Sequence, residues 1–140
     1  MNQSLIIQPI LAMIFLTIGV WIFMYSRRMP YIIANKIDSA SVNTPELLNA
    51  RLPKELSYSS NNLKNLFEVP VIFYVLCLLM LITQKADTVF LYAAWAYVAL
   101  RVVHSVIQCT SNIVERRFAV YLLSCLALWF MVGRFAIMAW

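Results

Sequence analysis

The sequence predicts an all-α integral membrane protein that folds as an antiparallel bundle of four transmembrane helices. Of its 140 residues, 63% are hydrophobic and 12% are charged, whereas ordinary soluble domains carry about 25% charged residues. The apolar residues fall into four runs separated by polar stretches, and a bilayer core requires about 20 apolar residues in a helix. At this length one domain is expected to cover residues 1–140.

The first helix is predicted over about residues 4–25, which are apolar apart from Gln8 and Thr17. A cleaved signal peptide carries Lys or Arg before its apolar run and a small-residue cleavage site after it. Here the basic residues, Arg27 and Arg28, follow the run instead. This order predicts an uncleaved helix whose N-terminus lies outside the cytoplasm.

The polar stretch over residues 27–58 is predicted to form a cytoplasmic loop that is too short for a second domain. Within it, Thr44-Pro45-Glu46 is typical of a helix start, with Thr as N-cap, Pro at the first helical position and an acid in the first turn. We therefore expect a short helix through about Arg51 that lies on the membrane surface.

Three further helices are predicted over about residues 61–83, 88–108 and 116–140, and the short turns between them imply antiparallel neighbours. The apolar run Val69–Thr83 has fifteen residues, fewer than the roughly 17 needed to span a bilayer. The second helix must therefore start earlier and carry Asn65 and Glu68 into the membrane. A carboxylate at that depth is costly unless it is paired or faces a wet cavity.

The basic residues predict the orientation of the bundle. One side carries eight of them, and the other carries Lys85 and Arg134, the latter close enough to the end of the fourth helix to snorkel. The eight are Arg27, Arg28, Lys36, Arg51, Lys54, Lys64, Arg116 and Arg117. This excess places the long loop in the cytoplasm and both termini outside. Because these residues flank apolar runs, the net charge of +5 does not indicate nucleic-acid binding.

Polar residues at helical spacing mark one face on the second helix and one on the third. The faces comprise Asn61, Asn65 and Glu68 on the second helix, and Tyr97, Arg101, His104 and Gln108 on the third. Glu68 and Arg101 both lie about 10 Å from the cytoplasmic ends of their helices, so we expect them to pair. Successive layers toward the cytoplasm are expected to contain His104 with Asn65, and then Gln108 with Asn61.

Arg116 and Arg117 begin the fourth helix at the same cytoplasmic level, where a helix N-terminus adds positive potential. The resulting cation-rich pocket suits an anionic ligand or a thiolate. Structural interpretations stay open: Glu68 and Arg101 could only join helices, and the two arginines could only anchor the fourth helix. No metal site is expected at the lone His104, and the three cysteines are interpreted as apolar packing residues.

The same segments resemble the membrane-associated proteins in eicosanoid and glutathione metabolism, the MAPEG family, over roughly residues 58–136. Asn65-Leu66-Phe67-Glu68-Val69-Pro70 is similar to the family's Asn-x-x-Glu-x-x-Pro signature, with the proline one residue early. Arg101-Val102-Val103-His104 resembles its Arg-x-x-His segment, and Asn112–Phe118 resembles its basic start of the fourth helix. NLFEVPVIFY and ALRVVHSVIQ look most like the bacterial branch, which implies a bacterial inner membrane.

The resemblance implies a homotrimer that binds glutathione between subunits near the cytoplasmic side and acts on a lipophilic small molecule. It implies that Asn65 and Glu68 contact glutathione, that Arg101 and His104 line the site, and that Arg117, or else Arg116, stabilises the thiolate. Active eukaryotic members carry Arg-Ala where this chain has Asn61-Asn62, so one guanidinium expected to hold a glutathione carboxylate is missing.

Three functions follow from these features. The first is a glutathione-dependent transferase or peroxidase acting on lipophilic electrophiles. The second is a non-catalytic lipid-binding protein of the same fold, which the missing arginine favours. The third is a small proton-coupled exporter, but such exporters carry an acid in the first helix, and here that helix has none.

Overall fold

The computed structural model describes residues 2–139, and every regular element in that range is helical. Its α-helices are α1 (Ile7–Ala34), α2 (Pro45–Arg51), α3 (Lys54–Leu66), α4 (Val69–Ile82), α5 (Thr88–Cys109) and α6 (Val114–Ala139). Short 3-10 helices cover Gln3–Ile6 and Ser39–Val42. Four stretches are long and apolar enough to cross a membrane, namely Gln3–Ala34, Lys54–Ile82, Thr88–Cys109 and Val114–Ala139. The predicted four-helix membrane bundle is confirmed; the predicted final residue, Trp140, lies outside the described residues.

The first helix is longer than the sequence predicted, because it continues to Ala34 instead of ending near residue 25. Pro30 lies inside this extension without ending the helix. Tertiary contacts hold the extension in place. The buried Arg28 side chain donates to the backbone oxygen of Leu56 at 3.1 Å and to Asn49 Oδ1 at 2.6 Å.

The loop between the first two spans is correspondingly shorter than residues 27–58. The predicted short helix is present as α2, and the Thr44 hydroxyl accepts a hydrogen bond from the backbone N–H of Leu47 at 3.3 Å. The second span then begins at Lys54 instead of residue 61. Asn49 of α2 accepts hydrogen bonds from Arg28 of α1 and Ser57 of α3, which connect the loop to both spans.

The second span is broken into two helices, where the sequence predicted a continuous helix. α3 ends at Leu66 and α4 begins at Val69, and Glu68 between them has non-helical dihedrals of φ −94° and ψ −104°. Pro70 explains the break, since a proline in a helix lacks an N–H donor and its ring clashes with the carbonyl four residues earlier, here that of Leu66.

The end of the bundle opposite the loop is closed by polar contacts near the two termini. Gln3 exchanges two hydrogen bonds with the backbone of Ala86, at 2.8 and 2.9 Å. Asp87 caps α5 by accepting from the backbone N–H of Phe90 at 2.9 Å and also pairs with Arg134. Arg134 lies over the Phe90 ring, 4.9 Å from its centroid. The Arg134 side chain is thus held by an ion pair and an aromatic ring at this end of the bundle.

Candidate functional site

The break in the second span determines the surroundings of Arg101. This residue is fully buried, at 0% exposure, and its Nη2 donates to the backbone oxygen of Asn65 at 2.9 Å. A helix end leaves its last carbonyls without intrahelical partners, and the guanidinium satisfies one of them. Arg101 therefore acts as a C-terminal cap for α3.

The expected ion pair between Glu68 and Arg101 is not formed, and that prediction was wrong for the single chain. Glu68 is exposed and its carboxylate caps no backbone N–H of α4. The prediction assumed that Asn65 and Glu68 share one face of a continuous helix. Because the chain leaves helical geometry between them, Asn65 stays beside α5 while Glu68 points to the surface.

Arg101 and His104 leave polar atoms without partners in the core. Within residues 2–139, no hydrogen-bond partner reaches Nε or Nη1 of Arg101, Nδ1 of His104 or the hydroxyl of Tyr97. His104 is only 2% exposed. Buried polar groups are nearly always hydrogen-bonded, and an uncompensated buried charge is costly. These atoms therefore identify a place where an anionic or acceptor-rich group would be stabilised.

The polar layer nearest the loop end of the bundle contains a different set of pairs from those expected. Asn65 Nδ2 donates to Gln108 Oε1 at 3.0 Å, while Asn61 is exposed and lies outside the layer. Asn62, which is fully buried, accepts from the Ser105 hydroxyl at 3.3 Å and donates to Cys109 Sγ at 3.4 Å. The sequence analysis missed this role, although Asn62 lies at helical spacing from two other buried residues, Ser59 and Leu66.

A small recess opens beside His104 and contains Arg117. Its volume is about 200 Å³, and its lining residues are Asn65, His104, Val114, Arg117, Phe118 and Tyr121. Arg117 is half-buried, whereas Arg116 is exposed and does not line the recess. The sequence alone did not distinguish the two arginines, and the structure shows that Arg117 is the one that lines the recess. Arg116 is suited to contact the membrane surface.

The turn before α6 holds Arg117 in position. Nη1 of Arg117 donates to Oδ1 of Asn112. Asn112 has a φ of 48°, in the left-handed region, which Asn tolerates better than most residues. This backbone conformation ends the turn after α5 and places the amide beside the first turn of α6.

Tyr121 contacts Arg101 and His104 and lines the recess together with Arg117. Its ring centroid lies 5.6 Å from the guanidinium carbon of Arg101 and 5.7 Å from the ring centroid of His104. The sequence analysis missed this residue. Its position four residues after Arg117 puts both side chains on one helix face, and that spacing was the available signal.

The recess has the electrostatic character of an anion site. Arg117 lines the recess, the fully buried Arg101 lies behind it against the ring of Tyr121, and none of the lining residues is a carboxylate. Charge-assisted hydrogen bonds from guanidinium groups to carboxylates or thiolates are stronger than neutral ones. Within residues 2–139, no group of three or more His, Cys, Asp or Glu side chains is placed to hold a metal ion.

Comparison with known proteins gives one clear result. A model of the MAPEG family matches residues 6–137, which include all the lining residues of the recess. No curated protein and no solved structure matches the chain. The family comprises membrane proteins of glutathione-related and lipid metabolism, in keeping with the four spans. Because the match covers nearly the whole chain, this protein belongs to the MAPEG family.

Proposed function

We propose that this protein binds glutathione at the cytoplasmic side of the membrane and joins its sulfur to lipophilic electrophiles or uses it to reduce lipid peroxides. The observation that carries the proposal is the recess lined by Arg117 and His104, behind which the buried guanidinium of Arg101 has two donor nitrogens without partners. Glutathione has two carboxylates and a thiol, so it offers anionic acceptors to such donors. The electrophile would enter from the bilayer.

In this proposal Arg117 stabilises the glutathione thiolate. A free thiol with a pKa of about 8.5 is only a few per cent ionised at neutral pH. A guanidinium beside the sulfur favours the thiolate, which is the nucleophile that attacks the electrophile. Support comes from the half-buried position of Arg117 and its hydrogen bond to Asn112. Asn65 and Tyr121 would contact the peptide part of glutathione.

A second copy of the chain is needed to complete this site. The recess of about 200 Å³ is smaller than most ligand sites, which range over about 300–1,000 Å³. Glu68 is exposed about 22 Å from the outer end of α4, and therefore about 8 Å below the cytoplasmic boundary of a 30 Å bilayer core. An exposed carboxylate at that depth favours a homotrimer in which a neighbouring copy covers Glu68.

The proposed orientation puts the loop and α2 in the cytoplasm and both termini outside, in a bacterial inner membrane. The same orientation exposes the recess to cytoplasmic glutathione, because Asn112 and the start of α6 lie at the loop end of the bundle. This arrangement agrees with the excess of Lys and Arg on that side.

A non-catalytic lipid-binding protein of the same fold is the second candidate. Asn61, where active eukaryotic relatives are expected to have an arginine, is exposed and does not line the recess. A single chain therefore lacks a third guanidinium for the second carboxylate of glutathione. Weak glutathione binding combined with tight lipid binding would favour this candidate.

The test is calorimetric titration of glutathione into the detergent-solubilised protein, followed by ultraviolet absorbance of the bound thiolate. Wild-type protein should bind saturably and produce the thiolate signal, and Arg117→Ala should lose that signal. Arg116→Ala is the matched control, because it removes the same charge from the exposed neighbouring position. Absence of binding at millimolar glutathione, or equal effects of the two variants, would contradict the proposal.

A further inference from the structure

A second cavity lies beneath the cytoplasmic loop and shares no lining residue with the recess. It has a volume of about 490 Å³ and lies between α1, residues 42–48 and α3. We propose that this cavity holds the headgroup of an anionic phospholipid from the cytoplasmic leaflet. The site is independent of glutathione binding.

The charge in this cavity is positive and uncompensated. Arg28, only 8% exposed, lines the cavity and hydrogen-bonds to two neutral oxygens, those of Leu56 and Asn49. Lys64 lines the same cavity and is exposed. None of the lining residues is acidic: the polar ones are Arg28, Asn43, Thr44, Ser60 and Lys64. A lipid phosphate would supply the missing negative charge, and guanidinium groups bind phosphate in charge-assisted hydrogen bonds.

An apolar groove adjoins this cavity on the side toward the middle of the bundle. It has a volume of about 350 Å³, and its lining residues are Ile14, Thr17, Ile18, Leu66, Phe67 and Tyr74. Phe67 lines both cavities, and both lie along α1. The break in the second span creates this junction, because Phe67 is the first residue after the end of α3. An acyl chain fits a groove lined almost wholly by apolar side chains.

The combined length of the cavity and the apolar groove matches one lipid in one leaflet. The distance along α1 from Arg28 to Ile14 is fourteen residues, or about 21 Å. Half of a bilayer that measures about 40–45 Å with its headgroups is about 20–22 Å. The polar end of the combined groove therefore lies at headgroup level and the apolar end near the bilayer midplane. A soluble phosphate would leave the apolar part without an occupant.

The experiment compares binding of phosphatidylglycerol and phosphatidylcholine to the purified full chain by native mass spectrometry from detergent micelles. We expect phosphatidylglycerol to be retained and phosphatidylcholine to be lost. Lys64→Glu should weaken phosphatidylglycerol binding about fivefold or more, since one basic residue near an anionic lipid contributes about that factor. Lys54→Glu is the control, because Lys54 is an exposed basic residue of the same helix outside the cavity.

Binding of the lipid acyl chain in the apolar groove is tested separately. Ile18→Trp fills the apolar groove and should reduce retention of the lipid, whereas Leu11→Trp adds the same bulk on α1 outside it. Equal retention of the two lipids, or an unchanged affinity in Lys64→Glu, would overturn the proposal. Competition by glycerol phosphate alone would identify a site for soluble phosphates and would also overturn it. Glutathione binding should be the same in Lys64→Glu and wild type. The lipid proposal and the proposed function can therefore be contradicted independently of each other.

Discussion

Asn112 should determine how well Arg117 stabilises a bound thiolate. Replacing Asn112 with Gly removes the amide oxygen that accepts from Arg117 Nη1. The backbone φ of 48° is retained, since Gly adopts left-handed conformations without steric strain. The substitution therefore removes the orienting contact while leaving the turn and the charge of Arg117 in place.

The expected effect is about fivefold in the population of thiolate at fixed pH. Hydrogen bonds to charged groups contribute about 1.5–3 kcal/mol when they are buried. Arg117 is only half-buried, so solvent screening reduces the expected loss to about 1 kcal/mol, which corresponds to about fivefold in an equilibrium. Part of this loss will be recovered if the guanidinium, no longer held by the Asn112 amide, still contacts the sulfur.

The assay is ultraviolet absorbance of bound glutathione as a function of pH, with Asn112→Ala measured in parallel. Ala also lacks the amide, and in addition its Cβ is strained at positive φ by about 1–2 kcal/mol. Both variants should lose thiolate signal, and Ala should also lower the stability of the protein. If Asn112→Gly behaves as wild type while Asn112→Ala loses the signal, Asn112 serves the backbone turn and not Arg117.

Three further predictions concern the ends and the middle of the bundle. Asp87→Ala should destabilise the protein by about 1–2 kcal/mol, because it loses the α5 cap and the pair with Arg134. Asp87→Asn should lose less than half as much stability, with both variants measured by reversible unfolding in mixed micelles. Equal losses of stability in the two variants would refute capping by Asp87. Glu68→Gln should shift the oligomer distribution toward monomer in chemical crosslinking, whereas Glu115→Gln should leave it unchanged; unchanged crosslinking in both would count against a neighbour at Glu68. Arg101→Lys should weaken glutathione binding about tenfold by calorimetry, because lysine keeps the charge but lacks the guanidinium fork, and unaltered affinity would exclude Arg101 from the site.

Features that depend on nearby residues were predictable from the sequence. The four spans follow from the lengths of the apolar runs, and the helix at Pro45 follows from the Thr44 cap. The grouping of polar residues on α5 also follows from helical spacing, and Arg101, His104 and Gln108 are all buried on one face. These features were predictable because hydrophobic length, capping and helical periodicity act within a single segment of chain.

The partners of those residues were decided only by the tertiary structure. Arg101 caps α3 instead of pairing with Glu68, Asn65 pairs with Gln108 instead of His104, and Asn62 is buried although the sequence analysis gave it no partner. The break at residues 67–68 explains the first difference, because it turns Glu68 away from the face of Asn65. The partners of Asn62 and Asn65 depend on how α3 is rotated against α5. A side chain's face is determined by its own helix, but its partner depends on the height and rotation of the neighbouring helix, and these depend on the packing of the whole bundle.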